Sequence, residues 1–294
     1  MKSFSIVVAT AVRPSLIETL NCINNSTLKP EEVIISIPKG KFLNIKKNFK
    51  FKLRVLAKEI GQVSQRIEGF KMVQTDLCIQ MDDDILFDKN FLEIFISRFN
   101  KLPRNSVLAP LHGTDKEILS LLVSPKIYFS NILYFILDSQ LSPKYGSITK
   151  AGFPIGVNPF YNSKIDNPLV KTEWINGCCI IHNNENLIKN WEHPFKGKAY
   201  AEDLLHSKYL MRNGISLFID RSLKINLQEE KKLNLFNFIY TYFKARIISF
   251  KVINYLESSR YSLPRYASFT VIYLILRLLS LLINYLKNKL KSKI

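Results

Sequence analysis

Residues 61–84 read GQVSQRIEGFKMVQTDLCIQMDDD, and the hydrophobic period changes within the stretch. From Gln62 to Val73 the apolar residues Val63, Ile67, Phe70 and Val73 recur at helical spacing. From Leu77 to Met81 a short apolar run predicts a buried strand that leads straight into Asp82, Asp83 and Asp84. Acids at the C-terminal end of such a strand stand where open parallel sheets bind ligands, because helix N-termini and loops converge there.

Working outward, Ser5–Ala9 predicts a strand, and Pro14 sits where a first helical turn tolerates it, opening a helix through Asn25. Residues 32–37 (EVIISI) and 53–57 predict two further strands; a helix over 90–99 and a strand over 106–111 follow. This alternation implies an α/β fold with a mostly parallel central sheet and helices on both faces. Residues 116–137 form an apolar, aromatic stretch broken at Pro125. The Gly/Pro-rich passage 144–168 lacks periodicity and predicts an extended loop or short antiparallel strands. Beyond it, 174–182 (WINGCCIIH) reads as a strand and 201–213 as a helix stopped by Gly214. Ser216–Ile219 is expected to close the sheet.

The composition of the 294 residues, 47% hydrophobic and 22% charged, is that of a folded protein. A net charge of +18 calls for an anionic partner: nucleic acid, an anionic membrane leaflet or a phosphorylated substrate. The basic residues are scattered rather than interleaved with aromatics on one module, which argues against nucleic acid. Cys22, Cys78, Cys178 and Cys179 contain no C-x-x-C pair and read as reduced, mostly buried thiols of a cytoplasmic protein. The apolar run from Phe4 to Val12 is short, lacks a small-residue cleavage site and ends at Arg13-Pro14, so it reads as a strand.

From about Lys231 the texture changes to long aromatic-aliphatic helices, which divides the chain into an α/β unit (1–230) and a helical extension (231–294). On a helical wheel Tyr266, Thr270, Tyr273, Arg277, Ser280 and Asn284 share one side; Ile272, Ile275, Leu279, Leu282 and Ile283 share the other. Residues 267–286 have the ~20-residue length of a spanning helix, but a mid-span cation such as Arg277 costs ~2.5 to 3.5 kcal/mol. Lys287, Lys289, Lys291 and Lys293 follow, each adding ~1 kcal/mol near an anionic surface. The expectation is a helix lying peripherally on the inner face of the cell membrane, with packing on the preceding domain, packing in a homo-oligomer, or true spanning as alternatives.

Three adjacent carboxylates repel unless a cation or proton intervenes. Mg²⁺ or Mn²⁺ resolves this, since hard ions take carboxylate oxygens together with substrate phosphates and neutralise a departing nucleoside diphosphate. A solvated acidic turn is the other reading. Glu202 and Asp203 form a second acidic site at a helix start, a place that the helix dipole alone also favours.

The blocks SIVVATAVRPSLIETL (5–20), residues 61–84, WINGCCIIH and AEDLLHSKYLMRNG (201–214) resemble, in order and spacing, those of inverting family 2 glycosyltransferases. The likeness spans Ser3 to Asp220. It implies an A-type, Rossmann-like fold using a nucleoside-diphosphate sugar, a divalent metal, and a glycan or lipid-linked acceptor. By the same resemblance the metal falls to Asp84 with Asp82, and Asp82, Asp83, Thr10, Arg13 and Arg66 lie on the donor side, Arg66 as a diphosphate partner. Asp203 becomes the base that takes the acceptor proton, with Glu202 tuning or positioning it. Trp174, Asn176 and Gly177 fall on the acceptor-side loop. His206, one turn beyond, would orient Asp203 or touch the diphosphate, unless it is a surface histidine. One departure stands out: residues 33–40 read VIISIPKG, with Ser36 and Pro38 where many members carry an acid that contacts the nucleobase. A non-catalytic glycan binder on the same fold is the competing class. A haloacid-dehalogenase-type phosphatase is disfavoured by Ile85-Leu86, and a nucleotidyltransferase by the absence of glycine from ATAVRP.

Overall fold

The computed structural model describes residues 2–45, 47–112, 134–140, 144–157, 168–194, 199–228, 235–256 and 261–291. The first half alternates as expected: β1 (Phe4–Ala9), α1 (Ser15–Asn25), β2 (Glu32–Pro38), β3 (Lys52–Lys58), α2 (Gln62–Lys71) and β4 (Leu77–Asp82). The short β5 (Ile85–Leu86), α3 (Phe91–Phe99) and β6 (Ser106–His112) follow. Then come β7 (Leu169–Thr172), β8 (Cys179–Asn183), α4 (Glu202–Arg212), β9 (Ser216–Leu227), α5 (Leu235–Leu256) and α6 (Leu263–Lys291).

One sheet runs in the order β3-β2-β1-β4-β8-β6-β9-β5, with β7 pairing to β9. Strands β3, β2, β1, β4, β6 and β9 share one direction, and β8 lies reversed between β4 and β6. β1 is buried throughout, so its successive residues must satisfy two apolar faces. Ile6 and Val8 face the helices α1 and α3, through Leu16, Leu20 and Phe95; Val7 faces Phe70 of α2. α4 covers the same side as α2, setting Leu210 against Ile180 and Leu217.

Two boundaries differ from expectation. The strand expected from Trp174 begins only at Cys179. Side chains satisfy the backbone before it: Ser207 Oγ takes the Ile175 N–H at 3.1 Å and Asn176 Oδ1 the Cys178 N–H at 3.0 Å, so a turn replaces the ladder. β9 runs to Leu227, well past Ile219. Its register against β6 jumps between Pro110 and Leu111, after which Lys224 and Ile225 still pair with β6 and Asn226 and Leu227 pair with β5. Pro110 has no N–H to donate, which suits it to such an irregularity.

The two last helices pack on the domain. Val252 enters a cluster with Val63, Ile67, Trp191 and Leu205, while Ile253 and Tyr261 meet Ile148 and Leu204. Tyr266 and Phe269 join Tyr134, Leu137 and Phe153. Among the described residues no helix is long and apolar enough to cross a membrane. The stretch 116–133, residues 158–167 of the Gly/Pro-rich passage, and the side chain of Arg277 lie outside the described residues.

Candidate active site

Ala9 and Asp82 are register partners at the ends of β1 and β4, so the loop after β1 and the acidic turn after β4 stand side by side. Together with the start of α2 they enclose a cleft of about 640 Å³, lined by Thr10, Arg13, Gln62 and Asp82 to Asp84 among others. The far end of β9 pins the turn: Ile85 pairs with Leu227, and the Gln228 N–H donates to Asp84 O at 2.9 Å. Val12 takes a positive φ of 66°, a conformation costly for a β-branched residue, and it aims the flanking Thr10 and Arg13 at the acids.

The three aspartates are not equivalent. Asp83 is buried, accepts from the Thr10 hydroxyl and is clasped by the Arg13 guanidinium, so it is committed to fixing the β1 loop. Asp84 also meets Arg13, at 3.1 Å. Asp82 accepts from Arg66 Nη2 at 3.1 Å and from Gln62 Nε2 at 3.3 Å. Burial pushes the Asp82 carboxyl up to about 6, against the pull of Arg66 and with help from the charges of Glu202, Asp84 and Asp83.

Arg66 lies beneath the cleft, fully enclosed, with its other arm on Glu202 Oε2 at 2.8 Å. Glu202 opens α4 after Ala201, which sits at φ 57° and turns the helix start inward. Asp203 is half-buried beside it. Its carboxyl is pushed up to about 7, first by burial and then by the neighbouring charge of Glu202. Ser207 Oγ ties α4 to the loop before β8 by accepting the Ile175 N–H at 3.1 Å, and donates within the helix to Asp203 O at 2.7 Å.

On that loop Gly177 presses against the acid pair: a Cβ there would lie 2.6 Å from Glu202 Oε1. Asn176 shapes the turn through its bond to Cys178. Trp174 is half-buried, and its indole N–H donates to Ile155 O at 3.0 Å, packing beside Leu204 and Tyr261. The structure therefore gathers Thr10, Arg13, Arg66, Asp82 to Asp84, Glu202, Asp203 and Gly177 into one neighbourhood. His206 is not part of it. It is buried, stacks on Trp191 with ring centroids 5.4 Å apart, and neither ring nitrogen has a hydrogen-bond partner among the described residues. The expected contact with Asp203 is unmade, and the side chain is not at the surface.

Gln62 and Gln65 were not singled out by the sequence reading, although both line the cleft. Gln65 latches two loops, donating to Thr10 O at 2.9 Å and Ser36 O at 2.7 Å. The available signal was two amides one turn apart at the start of an otherwise apolar-patterned helix. The four cysteines are free.

Among the described residues no group of three or more His, Cys, Asp or Glu is arranged to hold a metal. Asp83 is committed to Arg13 and Thr10; Asp84, which meets Arg13 once, and Asp82, which meets Arg66 and Gln62, also line the cleft wall. Mg²⁺ and Mn²⁺ are commonly held by one or two carboxylates and complete their shells with water and substrate phosphates. Two carboxylates, one with a raised pKa, fit that kind of site and do not fit an all-protein cage.

The model of glycosyl transferase family 2 matches residues 5–155, just over half of the chain. The crystal structure of GalNAc-T7 with UDP, GalNAc and Mn²⁺ aligns with a TM-score of 0.52 at 12% identity, over 79% of this chain. The alignment takes in 44% of the GalNAc-T7 chain, and at this identity the likeness concerns the fold. No curated protein matches the sequence.

Proposed function

The chain belongs to glycosyl transferase family 2, and on that premise we propose that it moves a sugar from a nucleoside-diphosphate donor to a hydroxyl of a glycan or lipid-linked acceptor, with inversion. One observation carries the reading. Arg66 joins Asp82, on the cleft wall, to Glu202, the neighbour of Asp203, so the acids of the donor side and of the acceptor side share one charge network.

In the proposed step the acceptor oxygen forms its bond to the anomeric carbon as the bond from that carbon to the diphosphate breaks on the opposite side. Asp203 takes the hydroxyl proton; a base near neutrality is matched to that task. Glu202, held by Arg66, keeps a negative charge beside Asp203 and so keeps it basic. Arg13 and Gln62 face the cleft where a diphosphate would lie. Mg²⁺ or Mn²⁺, held by Asp84 with Asp82, would supply positive charge to the leaving diphosphate. The UDP and Mn²⁺ in the GalNAc-T7 structure support this donor class for the shared fold. We place the catalytic unit in residues 1–230, working peripherally at the inner face of a membrane, with a homo-oligomer as a further possibility of the extension.

The test is thermal unfolding against a panel of sugar nucleotides, with and without Mn²⁺. A ligand at a hundred times its dissociation constant stabilises by about 2.7 kcal/mol. One sugar nucleotide is expected to raise Tm in a Mn²⁺-dependent way and then to be consumed when acceptor is added. No shift from any of them would remove the transferase reading, and binding without turnover would leave a glycan-binding protein.

A further inference from the structure

The C-terminal hairpin is apolar on both of its sides. On α6 Tyr266, Phe269, Thr270 and Leu274 are buried, while Val271, Ile275 and Leu279 stand in solvent. Two inward tyrosine hydroxyls are partnered: Tyr266 Oη donates to Arg246 O at 2.7 Å, and Tyr242 Oη to Thr270 O at 3.1 Å. Arg246 itself points inward, over the rings of Tyr242 and Phe153 at 5.3 and 5.4 Å. The outer stripe of α5 carries Tyr240, Phe243, Ile247 and Tyr255 at helical spacing, with the exposed Lys244 and Lys251 between them. Tyr240 is 61% exposed, Ile247 57%, Ile275 51% and Leu279 50%. A water-facing helix pair has no reason to carry apolar stripes on its outer side when its inner side is already apolar.

We propose that the outer face of the α5–α6 hairpin is a docking surface for an anionic membrane. Charge selects the occupant. From Leu235 to Ile294 the sequence has ten Lys and Arg against one Glu, half of the chain's net +18. A second copy seated on this face would bring two such charges together, whereas a leaflet of acidic lipids neutralises them while taking up the apolar stripes. Neither helix carries an acidic residue, and tyrosine is at home where water meets acyl chain. We read the helices as lying on the surface rather than crossing, since Arg277 would fall mid-span in α6 and among the described residues no helix is long and apolar enough to cross. Ile253 and Tyr261 pack on Leu204, the residue after Asp203, so a docked hairpin holds the acid end of α4 close to the leaflet. The supply of a lipid-linked acceptor from that leaflet rests on the transfer reading; the docking itself does not.

The experiment is co-sedimentation of the full chain with vesicles of phosphatidylcholine alone and of phosphatidylcholine mixed with phosphatidylglycerol. The parent is expected to partition onto the mixed vesicles and to stay off the neutral ones. Ile247→Ser with Ile275→Ser should lower the partition at least tenfold, and Lys244→Gln with Lys251→Gln on the order of 30-fold. Both pairs should leave Tm unchanged, because these side chains are exposed. Equal partition of parent and variants, or equal binding to the two vesicle types, overturns the proposal. So does a parent that stays off vesicles and elutes as a dimer which Ile247→Ser with Ile275→Ser converts to monomer, since a second copy would then cover the face.

Discussion

Arg66 on α2 donates to Glu202 on α4 across 2.8 Å, and both side chains are nearly closed to solvent. The other arm of the same guanidinium takes Asp82 at 3.1 Å. A planar fork with fixed donor directions can serve two acids at once, which a single ammonium cannot do in the same geometry. The pair is costly to desolvate, so its worth shows when one member is removed and the others stay buried without a counter-charge.

Arg66→Met should therefore destabilise the fold by about 3 to 5 kcal/mol, read from urea unfolding at neutral pH. Arg66→Lys should recover part of that stability, since it restores the charge to one acid, but little of the activity. A lysine variant as active as the parent would show that the bridge between Asp82 and Glu202 is dispensable.

Asp203→Asn should lower turnover by ~10² to 10⁴ with donor affinity nearly unchanged. In the parent the base works only when ionised, so kcat/KM should rise through about pH 7 and level off above it. Stability runs the other way. A carboxyl raised from its unfolded value near ~4 holds its proton more tightly when folded, and that contribution is lost as pH rises toward 7. Asp203→Asn should match the parent at pH 4 and become the more stable protein by pH 8. Equal stability at both pH values would mean that Asp203 is not strained by burial.

Gly177→Ala places a methyl against Glu202 Oε1, whose partner oxygen is held by Arg66. Overpacking of this kind costs about 1 to 3 kcal/mol. The activity loss should exceed what the lowered Tm explains, because the displaced Glu202 no longer sits beside Asp203. Pairing it with Glu202→Asp, which shortens the side chain, should return stability; no recovery would place the clash elsewhere.

The elements that the sequence made legible are those whose pattern is local. β1, β2 and β4 are buried on both faces, so each reads as a continuous apolar run whatever its neighbours. The direction of β8 is not written in Cys179–Asn183, since an apolar run looks alike either way and the connection through α4 decides it. The resemblance implies a diphosphate partner in Arg66; its partner Glu202 lies 136 positions further along, and no spacing rule reaches that far. On α6 the wheel's two sides hold only in part among the described residues: Tyr266 and Thr270 are buried and Ile275 and Leu279 exposed, but Ile272 packs inward beside Tyr273. Which side faces inward turns on tyrosines that stack and bond inside, as Tyr242 does on Tyr273.

His206 and His182 are buried side by side with ring centroids 5.8 Å apart, and all four of their nitrogens lack partners among the described residues. Burial first, and then the positive charge of Arg66, pushes the His182 imidazole down to about 3; burial likewise holds His206 well below its usual range. Both are neutral at pH 7 and serve as ring surface, His206 lying parallel to Trp191 within 2°. His206→Phe keeps that stack and removes two unsatisfied polar atoms, so at pH 7.5 it should equal the parent or exceed it by about 1 kcal/mol. A histidine with a depressed folded pKa contributes stability above its unfolded value of about 6.5 and loses it as pH falls below that value. The margin of the phenylalanine variant should thus widen by up to ~1.4 kcal/mol per pH unit between pH 6.5 and 4.5, seen as a growing gap in urea midpoint. Turnover should stay within about twofold of the parent, because His206 makes no bond to Asp203. A tenfold fall in turnover with the unfolding curve unchanged would return His206 to the active site.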